Sequence, residues 1–184
     1  MAGVNRSTGG FPEHSPWESS LWVERSQSIL DSYRHWLGEE LISRTGSATE
    51  VAQRLFDSPR VVVAHGLEAD PVLCYGNRCA LELWEMTLAE LLVTPSRLTA
   101  EPLHRDERAR LLQRTRDQGY VDDYRGIRVS RTGRRFLIER AIVWNLRDSS
   151  GKLAGQAATF AEWTPLPGAV GNDQPQHNRP AAGE

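Results

Sequence analysis

At 184 residues the chain suits one domain with extensions and is long enough to build a real core. Lys plus Arg (22) nearly balances Asp plus Glu (24), and the formal net charge of -2 argues against a nucleic-acid partner. No apolar run approaches the roughly 18 residues of a membrane span, and the N-terminus lacks the apolar segment of a signal peptide, so a cytoplasmic protein is expected.

Residues 1–14 are punctuated by Gly, Ser and Pro and read as disordered. Ser15-Pro16-Trp17-Glu18 has the form of a helix start, with Ser15 as cap, Pro16 in the first turn and Glu18 completing a capping box. The helix is expected to run to about Ser43, broken near Gly38. Leu21, Ile29, Tyr33, Trp36, Leu37 and Leu41 recur along it at roughly helical spacing. A second short helix is expected from Ala48 to Phe56, ended by Asp57-Ser58-Pro59. Residues 15–56 are therefore N-terminal flanking helices.

The segment 60–85 changes character. Arg60 to His65 opens with a β-branched run and predicts a strand, and Gly66 to Pro71 predicts a turn. Val72 to Tyr75 predicts a second strand, and Asn77 stands where the cap of a following helix belongs. Thr87-Leu88-Ala89-Glu90 is another capping box, opening a short helix that Pro95 ends. His104 to Gln118 predicts a longer helix, with Gly119 as its stop. Three long strands are then expected at Tyr120 to Ser130, Arg134 to Leu146 and Leu153 to Trp163, joined by short Gly-containing loops. In the middle strand, Phe136, Ile138, Ile142 and Trp144 are expected to share one face. The tail 168–184, rich in Pro, Gly, Asn and Gln, reads as disordered.

This order predicts an α+β core over residues 57–167. It comprises a five-stranded antiparallel sheet in the order 2-1-5-4-3, with helices cupping a cavity against one face. The N-terminal helix is more apolar than a solvated helix should be. It is expected either to cap the cavity or to pack on a second subunit as a homodimer.

This arrangement resembles a PAS domain, and Asn77-Arg78-Cys79-Ala80-Leu81-Glu82-Leu83-Trp84 is similar to that superfamily's helix opening. More closely, the sequence resembles the MEKHLA domain, a PAS-related module. The resemblance is carried by SYRHWLGEELI (32–42), AHGLEADPVLCYGNRCALELWEMTLAEL (64–91), TPSRLTAEP (94–102), GYVDDYRGIRVSRTGRRFLIERAIVWNL (119–146) and GQAATFAEW (155–163). It spans about residues 22–166. The family occurs at the C-terminus of plant class III homeodomain–leucine zipper proteins and as standalone bacterial and algal proteins, and this chain is similar to the standalone form. The resemblance implies a regulatory, sensor-like role that affects dimerisation, with an unknown downstream protein as receiver. It implies no catalytic residues.

In the inferred fold, Tyr75, Asn77, Cys79 and Trp84 are candidates to line the cavity from the central unit. Tyr124, Arg128, Arg140, Trp144 and Gln156 are candidates from the three-stranded meander. Such a cavity suits a small organic ligand, although the same aromatics also suit a filled core. No cofactor is expected. Light-oxygen-voltage domains place the flavin-reactive Cys directly after the helix-opening Asn, where this chain has Arg78. A helix turns about 100° per residue, so Cys79 is aimed elsewhere. The flavin-contacting Gln of that family lies two residues past a Gly, whereas Gln156 lies one past Gly155. Haem-binding PAS proteins use a His on the long helix, but His104 sits in a polar start. His65 is expected to hold its turn by bonding Glu68 or Asp70.

Cys74 and Cys79 form no metal-ligand pattern and are expected to be reduced, packed thiols. No enzyme motif is present, and Asp122 and Asp123, adjacent on a strand, are expected to face opposite ways. Arg125, Arg128, Arg131, Arg134 and Arg135 are expected to form a solvated rim paired with Asp122, Asp123 and Glu139. The expected function is thus a non-enzymatic sensory or regulatory domain. A small-molecule enzyme using the same cavity, or an interaction module with a filled core, are the alternatives.

Overall fold

The computed structural model of the chain describes residues 15–101 and 105–168. Of the segments expected to be disordered, 1–14 and all of 168–184 but Gly168 lie outside those residues, as does His104.

A single 3-10 turn at Pro16–Glu18 precedes helix α1 (Ser20–Leu37). The Ser15 side chain makes no cap hydrogen bond, so the expected capping box does not form there. Helix α1 ends at Gly38 in the left-handed conformation, so the expected break there is its stop and the helix does not continue to Ser43. Helix α2 (Ala48–Phe56) opens on a reciprocal capping box between Ser47 and Glu50. Strands β1 (Val61–His65) and β2 (Leu73–Gly76) follow, then helix α3 (Arg78–Trp84), capped by Asn77. Helix α4 (Leu88–Leu91) carries the expected Thr87–Glu90 capping box. Helix α5 (Arg105–Gln118) leads into strands β3 (Tyr120–Val129), β4 (Arg135–Arg147) and β5 (Leu153–Phe160).

The sheet order is β2-β1-β5-β4-β3, all antiparallel, as the element order predicts. The expected last strand is interrupted at Ala161-Glu162 and resumes as β6 (Trp163–Leu166). Thr159 faces Ile142 and Trp163 faces Ile138, so β5 and β6 keep one register along β4.

Two bulges decide which residues face where. Between the pairs Val121–Val143 and Tyr124–Ala141, β3 carries one extra residue at Asp122-Asp123. Between Tyr124–Ala141 and Gly126–Ile138, β4 carries one extra at Glu139-Arg140, and Arg140 has φ 52. The two irregularities cancel in register but each flips the alternation of its strand. Hence Phe136 and Ile138 share a face with Ala141 and Val143, while Trp144 belongs to the opposite layer. The expectation that Phe136, Ile138 and Trp144 align on one face is corrected by this bulge. Asp122 and Asp123, at the β3 irregularity, are both exposed.

The sheet is covered on both sides. Helices α3 and α5 pack over Val61, Val143, Phe136, Ile138 and Phe160, with Trp84 edge-on to Phe136 at 5.6 Å. Helices α1 and α2 cover the reverse face. There Trp22 stacks on Tyr75 at 4.5 Å and Tyr33 meets Trp144 edge-on at 5.1 Å. Trp22, Ile29, Leu30 and Tyr33 are fully buried there. At about 1.5–3 kcal/mol per buried large apolar side chain, these four anchor α1 as part of the fold. The apolar stripe of α1 is thus consumed by the chain's own sheet, on the face opposite the cavity, and does not cap it.

Candidate functional site

A cavity of about 60 Å³ lies between the sheet and helices α3 and α5. Its apolar wall comprises Val63, Leu73, Trp84, Leu111, Ile138, Val143 and Phe160. The polar groups facing it are His65, Ser96, Thr99, Arg108, Tyr124, Arg128 and Gln156. Typical ligand pockets start at about 300 Å³, and a water in the liquid occupies about 30 Å³, so this space suits only a few heavy atoms.

Arg128 reaches inward because the β3 bulge places Tyr124, Gly126 and Arg128 on the cavity face. It is 7% exposed, donates to the Tyr124 hydroxyl at 2.8 Å and to the Ile127 carbonyl at 2.9 Å, and lies over the Tyr124 ring at 5.1 Å. Arg108, on the first half of α5, donates to the Ser96 hydroxyl at 2.8 Å. Burial, and then the like charge of Arg128, pull the Arg108 guanidinium down to about 10. Among the described residues neither arginine is paired with a carboxylate. The acid that acts on Arg108 from a distance, Asp70, is ion-paired to Arg97 at 2.9 Å.

His65 ends β1 and is buried. Its Nδ1 lies 2.8 Å from the Gly66 carbonyl, which can only accept, so Nδ1 carries the proton and Nε2 offers a lone pair. That Nε2 is buried with no partner, as is the Trp84 indole N–H. Burial pushes the His65 imidazole below its ordinary range, opposed by the bond to Gly66. The expected bonds to Glu68 or Asp70 are replaced by this contact.

Gln156 closes the cavity floor. Its side-chain amide donates to the Leu112 carbonyl and to Asn145 Oδ1, both at 3.0 Å. Asn145 in turn donates to the Thr115 and Arg116 carbonyls at the end of α5, at 3.0 and 3.2 Å. On the reverse side, the Asn145 backbone carbonyl accepts the Trp36 indole N–H of α1 at 2.9 Å. Gly119, with φ 94, ends α5 against the Trp36 ring, where a Cβ would come within 2.4 Å. Only glycine permits both that turn and that approach.

Of the sequence candidates, Trp84, Tyr124, Arg128 and Gln156 line the cavity. The other five do not. Tyr75 and Trp144 sit in the α1 layer, by strand alternation and by the β4 bulge respectively. Asn77 is fully buried but is spent on structure. Its Oδ1 accepts from the Val62 and Ala80 amides, and its Nδ2 donates to the Ser58 and Arg60 carbonyls. Cys79 is turned to the Pro59 carbonyl at 3.5 Å, and burial raises its thiol. Arg140, on the bulge, is exposed and ion-paired with Glu162. The arginine rim forms with partly different partners: Arg125 takes Glu139, Arg134 takes Glu85, and Arg135 takes Glu101, while Arg128 leaves the rim for the cavity. Sequence reasoning missed Arg108 and read His65 chiefly as a turn residue. Arg108, Leu111, Leu112 and Thr115 share one face at helical spacing, which was the available signal.

A family model for the MEKHLA domain matches residues 23–165. The chain belongs to the MEKHLA domain family. The homeobox-leucine zipper protein REVOLUTA of Arabidopsis thaliana is 30% identical over 152 residues, covering 77% of this chain. That match takes in 18% of REVOLUTA, so the MEKHLA chain spans under a fifth of that relative's length. Among solved structures, the PAS domain of a Colwellia psychrerythraea protein is similar with TM-score 0.54 at 11% identity, covering 64% of this chain and 94% of that one. A light-oxygen-voltage domain, from a study of a flavin analogue, is similar with TM-score 0.50 at 15% identity, covering 64% and 85%. At these identities the likeness concerns the fold, which is PAS-like. Among the described residues no helix is long and apolar enough to cross a membrane, and no cluster of His, Cys, Asp and Glu is arranged to hold a metal.

Proposed function

We propose that this MEKHLA domain is a non-catalytic, ligand-responsive regulatory domain, in which a small molecule in the cavity alters the packing of α1 on the far side of the sheet. The observation that carries the reading is the chain of bonds from Gln156 in the cavity, through Asn145, to the indole of Trp36. A ligand that draws on the Gln156 amide competes with its bonds to α5 and to Asn145. The two layers are then biased together, as a population shift between packings rather than a reaction. Membership in a PAS-like sensory family supports the same role. A downstream protein reading the outer surface of α1 completes the proposal.

The test is a nuclear magnetic resonance screen of a fragment library against the purified chain, observed at the tryptophan indole N–H signals. Fragments that bind and move the Trp84 signal are expected, because Trp84 walls the cavity. A library that leaves Trp84 unmoved throughout, on a folded chain, would overturn the reading in favour of a filled interaction module.

A further inference from the structure

We infer that the cavity is built for a small planar oxyanion, a short-chain carboxylate or nitrate, held between Arg108 and Arg128 with His65 and Trp84 completing its contacts. The inference rests on the reading of this cavity as a ligand site and names the class of ligand.

Two guanidinium groups face one cavity of about 60 Å³, and among the described residues each is bonded only to neutral groups. Burying like charges together is costly unless an opposite charge joins them. Each guanidinium is a planar fork of donors that matches the two oxygens of a carboxylate, which explains the preference for a planar oxyanion. The Trp84 indole N–H, buried without a partner, can only donate and therefore also wants an acceptor. The volume limits the ligand to a few heavy atoms, so bulky dicarboxylates and nucleotides do not fit this state.

His65 makes the binding proton-linked. The groups acting on it are Arg108 and Arg116 from α5, Glu68 from the β1–β2 turn and the Gly66 carbonyl, while Arg128 faces the same cavity from β3. Burial favours the neutral imidazole, whose Nε2 is then an acceptor that repels an anion's oxygen. Protonation turns Nε2 into a donor. Anion binding therefore opposes the burial and the arginine charges that lower the imidazole, so affinity rises as pH falls.

The experiment titrates the purified chain with sodium acetate, sodium nitrate and acetamide, following the Trp84 indole signal. Ionic strength is held constant with sodium gluconate, which is too large for the cavity. Acetamide has the shape of acetate without its charge. Acetate, nitrate or both are expected to move Trp84, with affinity at least ten-fold weaker for acetamide and stronger at pH 6 than at pH 8. Which of the two anions binds more tightly distinguishes a carboxylate ligand from an inorganic one. Arg108→Met is expected to abolish the anion response while leaving the chain folded, since losing the repulsion from Arg128 offsets losing the bond to Ser96. Arg108 is chosen because Arg128 also packs Tyr124; Arg108→Gln serves as a second variant should the Met variant misfold. Equal binding of acetamide and acetate, or an undiminished anion response in the Arg108 variants, would overturn the anion assignment while leaving a ligand cavity in place. Silence of Trp84 to every anion would also overturn it, and the fragment screen then decides the broader reading separately.

Discussion

Asn77 tests whether the stitching between β1 and α3 has been read correctly. Its side chain makes four hydrogen bonds inside the protein, at 2.9 Å from Val62 N, 3.2 Å from Ala80 N, 3.1 Å to Ser58 O and 2.7 Å to Arg60 O. Asn77→Ala deletes all four at a site with no exposure. A lost bond costs about 1 kcal/mol net, and a buried group left unpaired costs about 1–3 kcal/mol. With some of the freed carbonyls recovering water, the expected loss is about 3–5 kcal/mol, a large share of the roughly 5–15 kcal/mol that holds a domain together. Asn77→Ser retains the helix cap to Ala80 and should recover about 1 kcal/mol of it. Asn77→Asp keeps both acceptor contacts but points a carboxylate at two carbonyls. It should be as damaging as Ala at pH 7 and milder at pH 4, where a protonated carboxyl can donate. Urea unfolding followed by tryptophan fluorescence reads this as a shift in midpoint at constant slope. A loss under about 1 kcal/mol for the Ala variant, or an Asp variant indifferent to pH, would refute the reasoning.

Three further outcomes follow from local geometry. In Gly155→Ala the new Cβ would lie 2.2 Å from the His65 carbonyl oxygen at φ 153, so β1 and β5 must part; a loss of about 2–4 kcal/mol in urea is expected, and a neutral substitution would contradict the close approach. Arg140→Gly relieves a left-handed residue worth about 1 kcal/mol and gives up only an exposed ion pair, so it should be neutral to stabilising, whereas Arg140→Val should destabilise; equal effects of the two would argue against the bulge. The Glu85 carboxyl accepts from Ser130, Thr132 and Arg134, which hold it at about 2. A carboxyl held below its ordinary value stabilises the fold above pH about 4.5, and that contribution is lost as pH falls toward 2. Glu85→Gln should therefore flatten the acid limb of the stability profile, and parallel profiles for the two proteins between pH 5 and 2 would count against this latch.

Much of the fold was legible because its signals are local. The cap at Asn77, the Thr87–Glu90 box, the stop at Gly119 and the β-branched run of β1 each act over a few residues, and together they order the elements into the observed sheet. The site was half legible. Trp84, Tyr124, Arg128 and Gln156 follow from alternation counted over short distances. Trp144 was misplaced because one extra residue at Glu139-Arg140 inverts the alternation beyond it, and nothing at that point, an Arg with positive φ, announces a bulge. Tyr75 was misplaced because both faces of the sheet are covered, so an aromatic strand residue has two dry sides to choose from. Arg108 was missed because it lies in a charged run, and only the packing of α5 on the sheet shows that its face is the inner one. The inner apolar stripe of α1 finds its partner within the chain, while Leu21 on its outer side stays 46% exposed.

The account stands on the connection between cavity and α1. With any fragment or anion that moves the Trp84 indole signal, the Trp36 indole signal should move in step, because Trp36 donates to the carbonyl of the residue that Gln156 holds. In Gln156→Leu, Trp84 should still respond while Trp36 falls silent. A ligand that shifts Trp84 in the unaltered chain and leaves Trp36 unmoved would show that the cavity and the N-terminal layer are not coupled.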